Sequence, residues 1–267
     1  MTDDTNEHLS PFPVQYTLNP KQLVELTHEL IAARTMDISS EHRFVAVEVG
    51  GDETYANLGR HIERVVFEAV FGNDAQQMEE EYGPYEAASR FFISIDRVTG
   101  QITGVLRVIQ NSAQGLKTLN DVQGDPFNVA TEDVIEQHAI DDPNKVWDVG
   151  TVAVLPEHRK GSKAVSVQLY RAMYLAAREQ GIDHLVSIID DKPFKDMTTF
   201  LGIPFVPLAG AVPGPYLGSE KSHPVYGYVP EFYEKMSRHR KTMAGYLARH
   251  ALDRLVEGSE DGSITLK

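Results

Sequence analysis

The sequence predicts a single α/β domain, a central sheet flanked by helices, with short extensions at both ends. Three observations carry this. Apolar stretches with the two-residue period of strands alternate with stretches of helical period along most of the chain. No internal repeat divides the chain, and no run of Gly, Ser or Pro reads as a linker. One long strand, closed by Pro156, leads through a basic turn of small residues into an amphipathic helix.

The elements follow in order. Residues 1–20 are rich in Asp, Asn, Ser and Pro without periodicity and read as a flexible arm. Leu23, Leu26, Leu30 and Ile31 space a short helix, and Phe44 to Val49 is a strand ended by Gly50-Gly51. Leu58, Ile62, Val65, Val66, Ala69 and Val70 mark a second helix, with Arg60, Glu63 and Arg64 on its other faces and a stop at Gly72-Asn73. The acidic run Glu79 to Glu81 reads as a solvated loop or helix face. Arg90 to Asp96 and Gln101 to Ile109 form a hairpin turned at Thr99-Gly100. Gln110 to Asp125 is polar and reads as a loop, and Thr131 to His138 as a short helix.

Lys145 to Leu155 is the long strand. Val165, Leu169, Met173 and Ala176 then line one face of a helix that stops at Gly181. Asp183 to Asp190 is a strand followed by a short helix ending at Leu201-Gly202. Ile203 to Leu208 and Pro224 to Val229 read as two last strands, with the Gly- and Pro-rich segment 210–218 between them. The domain thus spans 21–230. A helix over 231–257 and a frayed tail over 258–267 complete the chain.

Composition narrows the functions. A 42% hydrophobic fraction is that of a globular chain. With no cysteine, disulfides, thiolate-bound zinc and thiol nucleophiles are excluded, and the expected compartment is the cytoplasm. No basic start or apolar run marks a secretory signal, and no window approaches the roughly 20 apolar residues of a membrane span. A net charge of −14 argues against nucleic acid and anionic membrane as partners. Metal is not expected, since neither HExxH nor an EF-hand loop occurs.

Against that acidic background, His158, Arg159, Lys160 and Lys163 stand together. A turn of small residues at a helix start exposes unpaired N–H groups where the helix dipole adds partial positive charge, which suits phosphate. Gly161, Ser162 and Ala164 would let a pyrophosphate approach the backbone, with Arg159, Lys160 and Lys163 supplying charge. The plain alternative is a solvated turn with chance basic residues.

This unit resembles the GNAT N-acetyltransferase superfamily, whose loop places Pro, two residues, Arg or Gln, two residues, Gly, one residue, and Gly or Ala between a long strand and a long helix. Pro156, Arg159, Ser162 and Ala164 occupy the matching positions, with Ser162 in place of Gly. The resemblance covers about residues 40–230. It implies a mixed, mostly antiparallel sheet flanked by helices, the acyl-CoA N-acyltransferase fold. It also implies that the Val152, Ala153 and Val154 backbone meets the pantetheine arm, and that residues 159–164 hold the pyrophosphate of CoA or acyl-CoA.

The hairpin segment is similar to a branch of that superfamily, the acyl-homoserine-lactone and N-acyl amino acid synthases. Asp96, Gly104 and Arg107 match that branch, while its Glu-x-Ser-Arg is Asp148-Val149-Gly150-Thr151 here. By strand alternation Asp148 shares a face with Val152 and Val154 and is the candidate base for an attacking amine, the alternative being a structural buried Asp. The short helix lacks the family's Tyr, leaving Tyr226 and Tyr228 as candidate proton donors.

The resulting expectation is an acyltransferase moving an acyl group from acyl-CoA to a small-molecule amine. Two rivals stay open. One uses an acyl carrier protein, docked on the basic turn with Lys192 and Lys195. The other is a non-catalytic acyl-CoA-binding module. The C-terminal helix is a candidate homodimer contact or simply a cover for the sheet.

Overall fold

The computed structural model describes residues 13–34, 43–159 and 163–242. Helix α1 (Pro20–Ala33) opens on a reciprocal cap: the Asn19 side chain accepts from the Gln22 N–H, and the Gln22 side chain accepts from the Asn19 N–H. After β1 (Phe44–Gly50), α2 (Ala56–Phe71) runs until Gly72 takes a φ of 80°, the left-handed position that closes helices. Helix α3 (Ala75–Tyr82) carries the acidic run, with Glu79 and Glu80 exposed. The hairpin is β2 (Ser89–Asp96) and β3 (Gln101–Gln110), followed by α4 (Lys117–Asp121) and α5 (Thr131–His138). Then come β4 (Val146–Val154), α6 (Ala164–Glu179), β5 (His184–Asp190) and α7 (Asp191–Lys195). The chain continues through β6 (Val206–Pro207), β7 (Gly214–Tyr216) and β8 (Ser219–Tyr228) to a helix, α8, over 229–242.

The eight strands form one sheet in the order β1-β2-β3-β4-β5-β8-β6, with β7 also on β8. Every pairing is antiparallel except β4 with β5. Helices α1 and α2 cover one face, setting Leu30, Leu58 and Ile62 against Val47, Phe91 and Ile93. Helix α6 covers the other, with Leu169, Met173 and Ala177 against Phe92, Leu106 and Trp147. Each fully buried large side chain contributes about 1.5–3 kcal/mol. Gly104 allows this approach, since a Cβ there would lie 2.7 Å from the Ala153 carbonyl oxygen and 3.1 Å from Val165. Among the described residues no helix is long and apolar enough to cross a membrane.

Four expectations change. From residue 13 onward the arm is packed: Tyr16 and Leu18 are buried, and the Leu18 N–H donates to His61 Nδ1. The loop expected over 110–125 contains α4, whose five residues are too few to show a period. Only Val206–Pro207 of the strand expected over 203–208 pairs. The last strand begins at Ser219 rather than Pro224, because Pro224 sits inside β8 opposite Ile188, where proline is rarely found. Residues 1–12, 243–257 and the tail 258–267 lie outside the described residues.

Candidate active site

Strand β4 makes two breaks in regularity that create the site. Arg107 pairs with Thr151 and Val108 with Val149, leaving Gly150 as an extra residue in a bulge. The pairing with β5 covers only Val146, Asp148 and the residue between them. Beyond that point β5 continues along β8, and a cleft of about 660 Å³ opens between the two strands. This lies inside the range of roughly 300–1,000 Å³ typical of small-molecule sites. Val149 to Val152 line one wall and Ser187 to Asp190 the other, and Arg159 and Lys163 stand at the start of α6.

The bulge reverses the alternation of β4. Before it, Trp147 and Val149 face α6; after it, Val152 and Val154 do, while Val146 and Ala153 lie in other cores. Asp148 is therefore on the opposite face from Val152 and Val154, which corrects the shared face expected from strict alternation. Its buried carboxylate accepts from the backbone N–H and the hydroxyl of Thr118 on α4. Burial pushes the carboxyl up to about 7, although both Thr118 bonds pull it down. The folded state consequently holds a proton that the unfolded chain releases near pH 4. Stability is full below that point and falls as pH rises towards 7. Asp148→Asn should remove this loss, flattening the dependence of melting temperature on pH between 4.5 and 8, where one proton is worth about 1.4 kcal/mol per pH unit. An unchanged slope would show that Asp148 is ionised throughout.

Of the residues expected to meet the donor, Val152 and Val154 line the cleft, while Ala153 presents its side chain to the α1–α2 core. Arg159 Nε donates to the Val154 carbonyl at 2.6 Å, fixing the turn to the strand end. Lys163 is paired with Asp196 at 2.6 Å and lies over the Phe200 ring. Ala164 is the first residue of α6. Lys160, Gly161 and Ser162 lie outside the described residues. Tyr226 is bonded to His184 and stacked on His138, and neither it nor Tyr228 lines the cleft.

Other tyrosines do: Tyr82 from α3, Tyr170 from α6 and Tyr216 from β7. Burial raises all three phenols above their ordinary value, so each keeps its proton at neutral pH. The Tyr82 hydroxyl donates to the Gly150 carbonyl in the bulge at 3.3 Å. Beneath Thr151 lies a buried ionic network. Arg107 donates Nε and Nη2 to Glu63 at 3.0 and 2.6 Å and Nη1 to Glu86 at 3.0 Å. Arg60 and Tyr16 also bind Glu86, and the Thr151 hydroxyl donates to Glu63. Burial opposes the Arg107 charge, yet Glu63 and Glu86 outweigh it and hold the guanidinium well above its usual value. Arg60 and Glu63 were read on the polar side of α2; Arg107 inside an apolar strand was the available signal that acids had to meet it.

The sheet order, the parted β4 and β5, and the helix laid along β4 define the acyltransferase fold of GNAT type. FeeM, an N-acyl amino acid synthase from uncultured soil microbes, superposes with a TM-score of 0.54 at 19% identity, over 72% of this chain and 94% of that one. BjaI, a CoA-dependent acyl-homoserine lactone synthase solved with SAM and isopentyl-CoA, gives a TM-score of 0.45 at 12% identity over 75% and 90%. Ard1 from Thermoplasma volcanium gives 0.41 at 11% identity over 70% and 98%. No protein-family model and no curated protein matches the sequence.

Proposed function

We propose that the chain is an N-acyltransferase that moves an acyl group from acyl-CoA to the amine of a small molecule. The observation that carries this is the opening of β4 from β5 at the Gly150 bulge, in a fold shared with FeeM. The cleft so formed leads to two cations at the N-terminus of a 16-residue helix. A pantetheine arm lying along Val152 and Val154 would bring its thioester to the bulge, while its phosphates meet Arg159, Lys163 and the positive end of the α6 dipole. Val66, Phe67, Val70 and Phe71 of α2 line the same cleft, and this apolar rim favours an acyl chain longer than acetyl.

As the amine attacks the thioester carbonyl, the C–N bond forms and the C–S bond breaks; the nitrogen gives up one proton to solvent water and the departing thiolate takes one. Tyr82, Tyr170 and Tyr216 are the phenols in the cleft that hold one at neutral pH. Asp148, closed off against Thr118, is assigned to holding α4. Asp148→Asn should keep turnover, and its loss would restore Asp148 as the base. CoA is favoured over a carrier protein because Lys195, expected in the docking patch, is neutralised by Asp191.

The test is release of free thiol from acetyl-CoA and decanoyl-CoA with a panel of primary amines. The chain has no cysteine, so a thiol reagent sees only the released CoA. Amine-dependent release supports the reading. Donor binding without release from any pair would make the chain a binding module.

A further inference from the structure

The turn Leu208–Gly210 joins β6 to β7 and is held by a histidine that lies outside the cleft. Leu208 is fully buried in one core with Val134 of α5, and the Ala209 N–H donates to His138 Nε2 at 3.0 Å. Ala209 takes a φ of 44° and Gly210 one of 74°. The left-handed conformation is unfavourable for Ala209, which carries a Cβ, so the turn depends on its neighbours to stay closed. Further along the same segment, Tyr216 and Leu217 line the cleft. A ring nitrogen that accepts an N–H carries no proton, so the fold specifies a neutral His138 with its proton on Nδ1. The ring lies flat on Tyr226, with centroids 3.8 Å apart and planes 15° apart, which aims Nε2 at the turn.

We propose that His138 is an acid-sensitive latch: neutral, it closes the 208–217 segment that forms one wall of the cleft, and protonated, it releases that segment. A protonated Nε2 is a donor facing the Ala209 donor, so the bond that ties the turn to α5 is lost. On β5, His184 bonds the Tyr226 hydroxyl through Nδ1 at 2.6 Å, and around it stand Asp141 and Asp183, the latter paired with Lys145. Strand β8 contributes Tyr226 and Tyr228, while Leu208, Ala209 and Gly210 bring no charge. Helix α5 itself carries Glu132, Asp133 and Glu136, all exposed. The α5 carbonyl end and the Tyr226 face would favour a cation. Burial opposes it, His184 adds to the opposition, and together they hold His138 below the ordinary histidine value. The neutral ring therefore stabilises the closed segment fully above about pH 6.5, and this contribution is lost as pH falls through the lower folded value. Asp148 titrates with the opposite sign. The latch holds whatever the cleft binds.

Hydrogen exchange of the whole chain at pH 7.5 and 5.5, expressed as protection factors over 208–217, tests the proposal. Protection should fall severalfold at the lower pH. The ceiling is roughly tenfold, set by one proton taken up between an ordinary value near 6.5 and pH 5.5. His138→Gln places an uncharged acceptor where Nε2 stands and should abolish the fall. His138→Phe keeps the stacking on Tyr226 without an acceptor, and protection should be low at both pH values. Asp148→Asn and His184→Gln should leave the fall in place. The wild type supplies a second reading: the His138 Cε1–H resonance, identified by its loss in His138→Gln, should titrate below the ordinary histidine value. Unchanged protection in the wild type, a fall that persists in His138→Gln, a fall that vanishes in either control, or a His138 midpoint at or above the ordinary value would each overturn the latch. Failure of the acyl-transfer reading shows differently, as thiol release from no donor at either pH.

Discussion

Arg107→Met should cost about 3–5 kcal/mol, the usual penalty for removing one partner of a buried ion pair. Arg107, Glu63 and Glu86 are all buried, and deleting the guanidinium leaves Glu63 with the Thr151 hydroxyl and Glu86 with Arg60 and Tyr16. In a chain of this size the loss corresponds to a melting temperature lower by about 10 °C. The damage is the uncompensated carboxylate rather than missing bulk. Arg107→Met with Glu63→Gln should therefore recover part of the stability, with a coupling energy of about 0.5–3 kcal/mol in urea unfolding. Purely additive losses would mean that the two groups do not depend on each other.

Gly51→Ala should be nearly as severe. A Cβ at Gly51 would fall 2.0 Å from the Glu86 carbonyl oxygen and 2.8 Å from that of Ser89. Both are backbone atoms, and Gly51 is already tied there by its N–H to the Ser89 carbonyl at 2.7 Å. Neither side can yield without moving β2 or the turn before it, at a cost of about 3 kcal/mol. The Gly51 carbonyl also accepts from Arg60 Nη2 at 2.7 Å, so the shift reaches the network under Thr151. Turnover should fall along with stability. Gly83→Ala is the control, since nothing lies within 4 Å of a Cβ there, and it should change the melting temperature by less than about 2 °C. Equal effects at the two glycines would refute the close approach.

The fold was legible where period and punctuation agreed. Leu58 to Val70 and the run from Val165 to Ala176 give their helices directly, and Gly72 stops the first in the left-handed conformation expected of it. The hairpin to Asp96 and Ile109 and the long strand up to Pro156 were equally plain. What failed has particular causes. Strict alternation assigns Asp148 to the cleft face, but the bulge at Gly150 exchanges the two faces, and a glycine in a strand signals only that a bulge is likelier than usual. Tyr82, Tyr170 and Tyr216 come to the cleft from α3, α6 and β7, three separate parts of the chain, so no local spacing could gather them. Arg60 and Glu63 look like a solvated face because a buried pair and an exposed pair share the same residue types. Only Arg107, 44 residues beyond Glu63, distinguishes them.

The central claim is that the cleft between β4 and β5 holds a CoA thioester. Thermal unfolding with acetyl-CoA, decanoyl-CoA and free CoA, beside an Arg159→Ala/Lys163→Ala variant, tests it most directly. Ligand at a hundredfold excess over Kd should stabilise the wild type by about 2.7 kcal/mol, with decanoyl-CoA acting at lower concentration than acetyl-CoA, and the variant should lose most of the shift. A wild type that none of the three stabilises would contradict the claim.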